Sequence, residues 1–382
     1  MTTANLESEP ANKPDAADLD ACMRQLTICV VNYNGQPYLP SCLDALLETC
    51  PVRREIIVVD NASEDGSAEM VAGSYPEVRL IRLSENLGPP VARNAGYAAS
   101  LGAYVLFVDN DIRVSEGCVQ NLLLSILHNP AAAVAMPRVC YLDETNTIQY
   151  DGAGCHPAGL MILHNNNVPL IDAGNSERFV GSVVSACILV DKQRLGMVSP
   201  FDESFFFNYE DHDFGLRCSI SGRKILSVPA ALCHHGTGTK GLSYRNRSRY
   251  PRRRVYFLIR NRWLILLKNY QLSTLFVLSP ILVLYEVVQL AGVASKGWAG
   301  EWLKSASWIV AHIPEILRKR RCVQQARQIN DMCIFEMDHL PFTDEISSSR
   351  VARGMVGLLD HAITGYWKLI RPARTHRACN HE

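Results

Sequence analysis

The chain has 382 residues, 48% hydrophobic and 20% charged, with 38 Lys and Arg against 38 Asp and Glu. This is an ordinary globular composition, ample for one large core or two domains, and it excludes a fibrous or wholly disordered chain. Thirteen cysteines occur without a C-x-x-C pair or a Cys/His zinc spacing, and no basic-then-apolar leader opens the chain, so reduced thiols in a cytoplasmic setting are expected rather than a disulfide framework.

Residues 1–25 are polar and aperiodic, which predicts a disordered tail. From Leu26, short β-rich runs alternate with helical ones: Leu26 to Val31, a helix around Tyr38 to Glu48, Glu55 to Val59, a helix around Ser67 to Gly73, Val78 to Leu83, a helix around Pro90 to Leu101, then Ala103 to Val108. Such alternation implies a mostly parallel, doubly wound α/β sheet, whose ligands bind outside the carboxyl ends of its strands. Asn32-Tyr33-Asn34, Asp60-Asn61-Ala62-Ser63 and Asp109-Asn110-Asp111 all fall at such ends.

Beyond Asp111 the pattern predicts a helix near Cys118 to His128, short strands around Val134 to Tyr141 and Phe179 to Val190, and a polar loop near His164 to Asn175. Glu210 to Ser221 reads as a helix stopped by Gly222, followed by a strand Lys224 to Val228 and a loop from His234 to Thr239.

No Asp or Glu occurs between Asp213 and Glu286. A basic, aromatic segment over 241–271 carries Arg245, Arg247, Arg249, Arg252 to Arg254, Arg260, Arg262 and Lys268 among Tyr250, Tyr256, Phe257 and Trp263. It reads as a solvated helix face or an anion-binding surface. The apolar stretch that follows favours a membrane surface over nucleic acid. Leu272 to Ala294 is long enough to span a bilayer, but Pro280, Glu286 and basic residues on both sides disfavour a single committed span. The rest of 272–382, with Trp298, Trp302, Trp308 and Arg318 to Arg321, reads as amphipathic helices lying in an interface or as a helical subdomain packed on the catalytic one.

Sugar transfer from a nucleoside diphosphate needs a nucleobase pocket, a cation to offset charge on the leaving diphosphate and a carboxylate to take the acceptor proton. Val58-Val59-Asp60 would also suit a dinucleotide fold, but the G-x-G-x-x-G that should precede it is missing. A sugar-phosphate nucleotidyltransferase would want a cation in the loop after the first strand, and Asn32 to Pro37 has none. A non-catalytic assembly subunit of the same fold would not need the carboxylates at 109, 111 and 211.

Ile28 to Asn34, Val58 to Ser67, Glu85-Asn86-Leu87-Gly88 with Ala92-Arg93-Asn94-Ala95-Gly96, Asp109 to Asp111, and Phe201-Asp202-Glu203 leading to Tyr209-Glu210-Asp211 occur in the order found in family 2 glycosyltransferases of the GT-A fold. Over about Leu26 to Thr239 (a catalytic domain of 26–240) the chain resembles that family, in particular its bacterial surface-polysaccharide, rhamnosyltransferase-like members. The resemblance implies a GT-A fold and an inverting transfer from a UDP-, dTDP- or GDP-sugar to a lipid-linked saccharide, with Mg²⁺ or Mn²⁺, on the cytoplasmic face of a bacterial inner membrane. It assigns Tyr33 to stack on the nucleobase and Asp60 to hydrogen-bond the base or its ribose. Arg93 approaches the diphosphate, Asp109 contacts the ribose or a metal-bound water, and Asp111 ligates the metal. His235, or His234 if the register shifts by one, stands near diphosphate or metal, and Asp211 is the general base. Gly88-Pro89-Pro90 departs from the Gly-rich sequence of many relatives and leaves donor choice open.

Overall fold

The computed structural model describes residues 16–49, 55–196, 200–236, 238, 251–341 and 350–370. The tail 1–15 and the basic stretch 241–250, with Arg245, Arg247, Arg249 and Tyr250, lie outside the described residues. The first described element corrects the expectation of a tail to residue 25: Ala16–Arg24 forms helix α1, burying Cys22 and Met23 with Leu19 packed beside them. An apolar pattern at i, i+3 and i+4 in nine residues is easily lost among polar neighbours.

The alternation then follows as expected: β1 (Leu26–Asn32), α2 (Leu39–Thr49), β2 (Glu55–Asp60), α3 (Ser67–Ser74), β3 (Val78–Arg82), α4 (Pro89–Ala99) and β4 (Tyr104–Asp109). All seven residues of β1 are buried, as suits a parallel strand covered on both faces. After β5 (Ile112–Val114) and α5 (Cys118–His128) come β6 (Ala132–Tyr141), β7 (Ile148–Tyr150), β8 (Ala153–His156), β9 (Leu160–Leu163), β10 (Arg178–Val180) and β11 (Cys187–Asp191). Helices α6 (Lys192–Leu195) and α7 (Glu210–Ile220) precede β12 (Lys224–His235).

The main sheet runs β10-β12-β6-β11-β4-β1-β2-β3, with β5 beside β12 and β7 beside β6. Strands β1 to β4 are parallel, in a register that aligns Asn32 with Asp60 and Val31 with Asp109. Beyond β4 the sheet is mixed, because β11 runs antiparallel to both β4 and β6. The predicted single stretch Phe179 to Val190 is thus two strands, β10 and β11, on different parts of the sheet. Ten cysteines among the described residues are free, nine of them buried. Cys333 departs from the expectation of reduced thiols, being disulfide-bonded.

The C-terminal region is helical: α8 (Arg252–Asn269), α9 (Leu272–Ser295), α10 (Ala299–Ala311), α11 (Ile313–Gln325), α12 (Asp331–Ile334) and α13 (Arg350–Ile370). Its inner face shares one core with the sheet domain, in which Cys155, Phe205, Leu216 and Ile220 pack with Leu264, Ile265, Tyr270, Leu278 and Phe335. The basic residues of α8 are divided: Arg260, Arg262 and Lys268 are buried, whereas Arg252 and Arg253 are exposed. Lys268, 2% exposed, reaches Asp202 at 2.5 Å and Asp213 at 2.7 Å, and Lys319 of α11 reaches Asp202 at 2.6 Å. Burial alone would raise the Asp202 carboxyl, but these two ammonium groups hold it well below its usual range. Within α7, Asp213 also pairs with Arg217 at 2.8 Å. A buried pair that loses one member costs about 3–5 kcal/mol, so this network fastens α8 and α11 to the sheet domain.

Candidate active site

Three strand ends meet through Asn32, which has no solvent exposure. Its Nδ2 donates to Asp60 Oδ1 (2.7 Å) and Ser67 Oγ (2.8 Å), while its Oδ1 accepts from Asn110 Nδ2 at 2.8 Å. Asp60 also accepts from the Ser63 hydroxyl (2.6 Å) and amide (3.0 Å). The carboxylate is 2% exposed, so among its observed contacts it organises the end of β2. Tyr33 stands half-buried on the same rim. Gly35 follows because a Cβ there would lie 2.0 Å from Asn110 Nδ2 and 2.3 Å from Asn32 Oδ1.

The pairing of β5 with β12 sets His235 opposite Ile112, next to Asp111. His235, read from sequence as a loop residue, closes β12, and its Nε2 lies 3.3 Å from Asp111 Oδ1. His235 is 7% exposed and His234 is half-buried, so strand alternation turns His235 inward and resolves the register between them. Its Nδ1 pairs with Gln149 Oε1 at 2.8 Å. With the proton on Nδ1, the Nε2 lone pair faces the carboxylate, the tautomer a metal-ligating histidine adopts. Ligand atoms of Asp109, Asp111 and His235 lie within 4.8 Å of one another. Two hard carboxylates and one imidazole are a donor set for a divalent metal ion. Gln149 escaped the sequence reading; no residue pattern marks it.

Arg93 is 2% exposed, donating from Nη2 to Asp109 Oδ1 at 2.6 Å and from Nη1 to Glu210 Oε1 at 3.3 Å. Burial opposes its charge, but Asp109 and Glu210 together raise its pKa. Asn94, one residue on, accepts from the Phe201 amide (3.0 Å) and donates to the Phe201 carbonyl (2.9 Å). The Arg-Asn motif thus joins two acidic landmarks, Asp109-Asn110-Asp111 and Glu210-Asp211, which lie about a hundred residues apart.

The turn before α7 is strained. Phe206, Asn208 and Tyr209 have φ of 59°, 63° and 66°, and such left-handed non-glycine residues cost on the order of 1–3 kcal/mol each. Gly88 meets this turn, since a Cβ on it would sit 2.3 Å from the Phe206 carbonyl oxygen. Beyond the turn Glu210 is 6% exposed and Asp211 half-buried. Burial, and then the adjacent Asp211, push Glu210 up to about 7, against the pull of Arg93. Burial also raises Asp211, opposed by the His212 amide that donates to its Oδ1 at 2.7 Å. Buried His212, bonded through Nδ1 to Ser182 Oγ at 2.8 Å, is pushed down to about 3 and stays neutral.

This gives a pH expectation for the metal-free protein. A carboxyl whose folded pKa lies above its unfolded value stabilises the fold below the unfolded pKa, and that stability is lost as pH rises through the folded one. For Glu210 the window runs from its ordinary 4.5 to about 7. Glu210→Gln should therefore gain stability relative to the parent between pH 5 and pH 8, by up to about 3 kcal/mol. Urea unfolding in EDTA at both pH values measures the difference, and an equal gap at the two would remove Glu210 as the titrating group.

Residues 27–181 match the family model described as glycosyl transferase family 2. The chain carries a family 2 glycosyltransferase domain and is a glycosyltransferase. Its mixed sheet, with the carboxylates at the ends of β2 and β4, is a GT-A-like α/β fold. It is 27% identical over 240 residues to the N-acetylglucosaminyl-diphospho-decaprenol L-rhamnosyltransferase of Mycobacterium tuberculosis, across 56% of this chain and 78% of that one. To the dTDP-rhamnosyl transferase RfbF of Shigella flexneri it is 26% identical over 247 residues, across 63% of this chain and 79% of that one. Similar solved structures are more distant. GalNAc-T7 with UDP, GalNAc and Mn²⁺ has a TM-score of 0.49 at 15% identity, covering 63% of this chain and 48% of its own. The family 2 match ends at residue 181, so Glu210, Asp211 and His235 lie beyond it, on elements that the sheet returns to the same rim.

Proposed function

We propose that this glycosyltransferase moves a sugar, with inversion, from a nucleotide-sugar to a lipid-linked saccharide during surface-polysaccharide assembly. dTDP-rhamnose heads the donors to test because two relatives matched over most of their length are rhamnosyltransferases, one named for dTDP. The carrying observation is the convergence of Asp109, Asp111 and His235 within 4.8 Å, joined through Arg93 to Glu210 and Asp211. Asp111 and His235, with Asp109 beside them, would hold a divalent cation, which when bound supplies a Lewis acid that offsets charge on the departing diphosphate. Tyr33 at the rim offers a face to the nucleobase, and Asp60 a carboxylate to the base or ribose. Asp211 takes the proton from the acceptor hydroxyl as the C–O bond forms. Its neighbour Glu210 is engaged by Arg93 Nη1 at 3.3 Å, which leaves Asp211 the freer carboxylate. Turnover of UDP-, dTDP- and GDP-sugars with and without Mn²⁺, in the presence of a polyprenyl-diphosphate-linked sugar, tests the reading; no transfer from any of them sinks it.

The C-terminal helices support a peripheral seat on an anionic membrane, at the cytoplasmic face of a bacterial inner membrane. Of α9, the one described helix long and apolar enough to cross a bilayer, Thr274, Leu278, Ile281 and Tyr285 form a buried stripe, whereas Leu272, Phe276, Val283 and Val287 are 71%, 82%, 62% and 61% exposed. Glu286 does not face lipid: it accepts from Arg262 Nη1 (3.0 Å), Trp263 Nε1 (2.9 Å) and Trp302 Nε1 (2.8 Å). Because Arg260, Arg262 and Lys268 are consumed inside the protein, the apolar face should carry more of the binding than charge does. Sedimentation with anionic vesicles should fall only in part between 0.1 M and 1 M salt, which screens charge but not buried apolar area. Complete release by salt would put the attachment on arginines alone, and no sedimentation at low salt would end the membrane reading.

A further inference from the structure

The strained turn that leads into the catalytic helix is held from outside the sheet domain. Asn261, on α8, has no solvent exposure. Its Nδ2 lies 3.0 Å from the Phe205 carbonyl, 2.8 Å from that of Phe207 and 2.6 Å from that of Asn208. Its Oδ1 accepts from Arg260 Nε at 2.8 Å, which fixes the amide so that both N–H bonds point at the turn. Two N–H bonds shared among three carbonyls leave no slack. Arg260 itself, 4% exposed, adds Nη2 donations to the carbonyls of Ser204 (2.8 Å) and Phe205 (2.6 Å). Four consecutive or near-consecutive carbonyls are thus gathered by two adjacent residues of one helix. Left-handed φ at Phe206, Asn208 and Tyr209 turns those carbonyls to one side, and such a conformation persists only where its surroundings over-determine it.

We infer that Arg260 and Asn261 are positioning residues for the transfer reaction: they hold the Phe205–Tyr209 turn in the strained form that presents Glu210 and Asp211 to the acceptor. The inference rests on the role proposed for Asp211, and it makes the C-terminal helices a required part of the active site rather than only a membrane seat. Neither side chain need touch substrate. Arg260 also lies 4.5 Å over the ring of Trp308 on α10, so the clamp is backed by a second helix of the same region.

The test is carried out on the full-length protein. Asn261→Asp replaces the two donors with an acceptor of the same shape facing three carbonyls, and Asn261→Ala removes them. Ile259→Val, buried on α8 in a cluster that holds none of the turn's residues, reports a general loosening of the helix. With dTDP-rhamnose as donor and a polyprenyl-diphosphate-linked sugar as acceptor, both Asn261 variants should lose roughly 10- to 100-fold in kcat while the dTDP dissociation constant changes less than twofold. Arg260→Lys should retain part of the rate. Hydrogen–deuterium exchange, which needs no turnover, should speed up over residues 206–211 in the Asn261 variants and not in Ile259→Val. Unchanged exchange in that turn overturns the clamp, as does an Asn261→Ala enzyme with parental kcat when Asp211→Asn is inactive. If Asp211→Asn keeps parental transfer, it is the base assignment that fails, and the exchange data still decide the clamp.

Discussion

Asp211→Asn should bind nucleotide as the parent does and transfer sugar about 10² to 10⁴ times more slowly, the usual contribution of a positioned general base. The substitution keeps the shape and the acceptor for the His212 amide at 2.7 Å, so α7 should start as before. It removes only the group able to accept the acceptor's proton. Isothermal titration with dTDP and single-turnover rates at saturating donor separate affinity from chemistry. A variant that transfers at the parental rate would move the base to Glu210 or Asp213, and of these Asp213 is already engaged by Lys268 and Arg217.

Asp111→Ala should abolish the effect of divalent cation on nucleotide binding, an interaction worth several kcal/mol where a metal bridges carboxylate and diphosphate. His235, hydrogen-bonded to Gln149 at 2.8 Å, would be left with Asp109, whose Oδ1 is already engaged by Arg93 at 2.6 Å. Calorimetry with dTDP, with and without Mn²⁺, should show enhancement in the parent and none in the variant. Enhancement that survives would take Asp111 out of the metal site.

The half of the fold that was legible is the half where chemistry and periodicity coincide. Each of β1, β2 and β4 is an apolar run that stops at Asn or Asp, so strand, direction and rim are read together from Asn32, Asp60 and Asp109. The later strands carry no such punctuation: β10 and β11 are short, and their antiparallel placement depends on long-range pairing that no local pattern encodes. The site shows the same limit: no local pattern marks the contact of Arg93 with Glu210, 117 positions later. The basic run of α8 is divided for a related reason, because residue type does not tell an exposed arginine such as Arg252 or Arg253 from one that, like Arg262, meets an internal carbonyl at 2.8 Å.

The bridge from Asp109 through Arg93 to Glu210 also bears on how damage to this enzyme would be diagnosed. Arg93→Ala would release Asp109 toward the cation and leave Glu210 with one fewer opposing charge, so a single lesion should weaken donor affinity and alter the pH profile together. An alanine survey would score that as the loss of a substrate contact, although the side chain bridges Asp109 and Glu210. The two acidic landmarks answer to one residue, and substitutions at 93, 109 and 210 should fail to add.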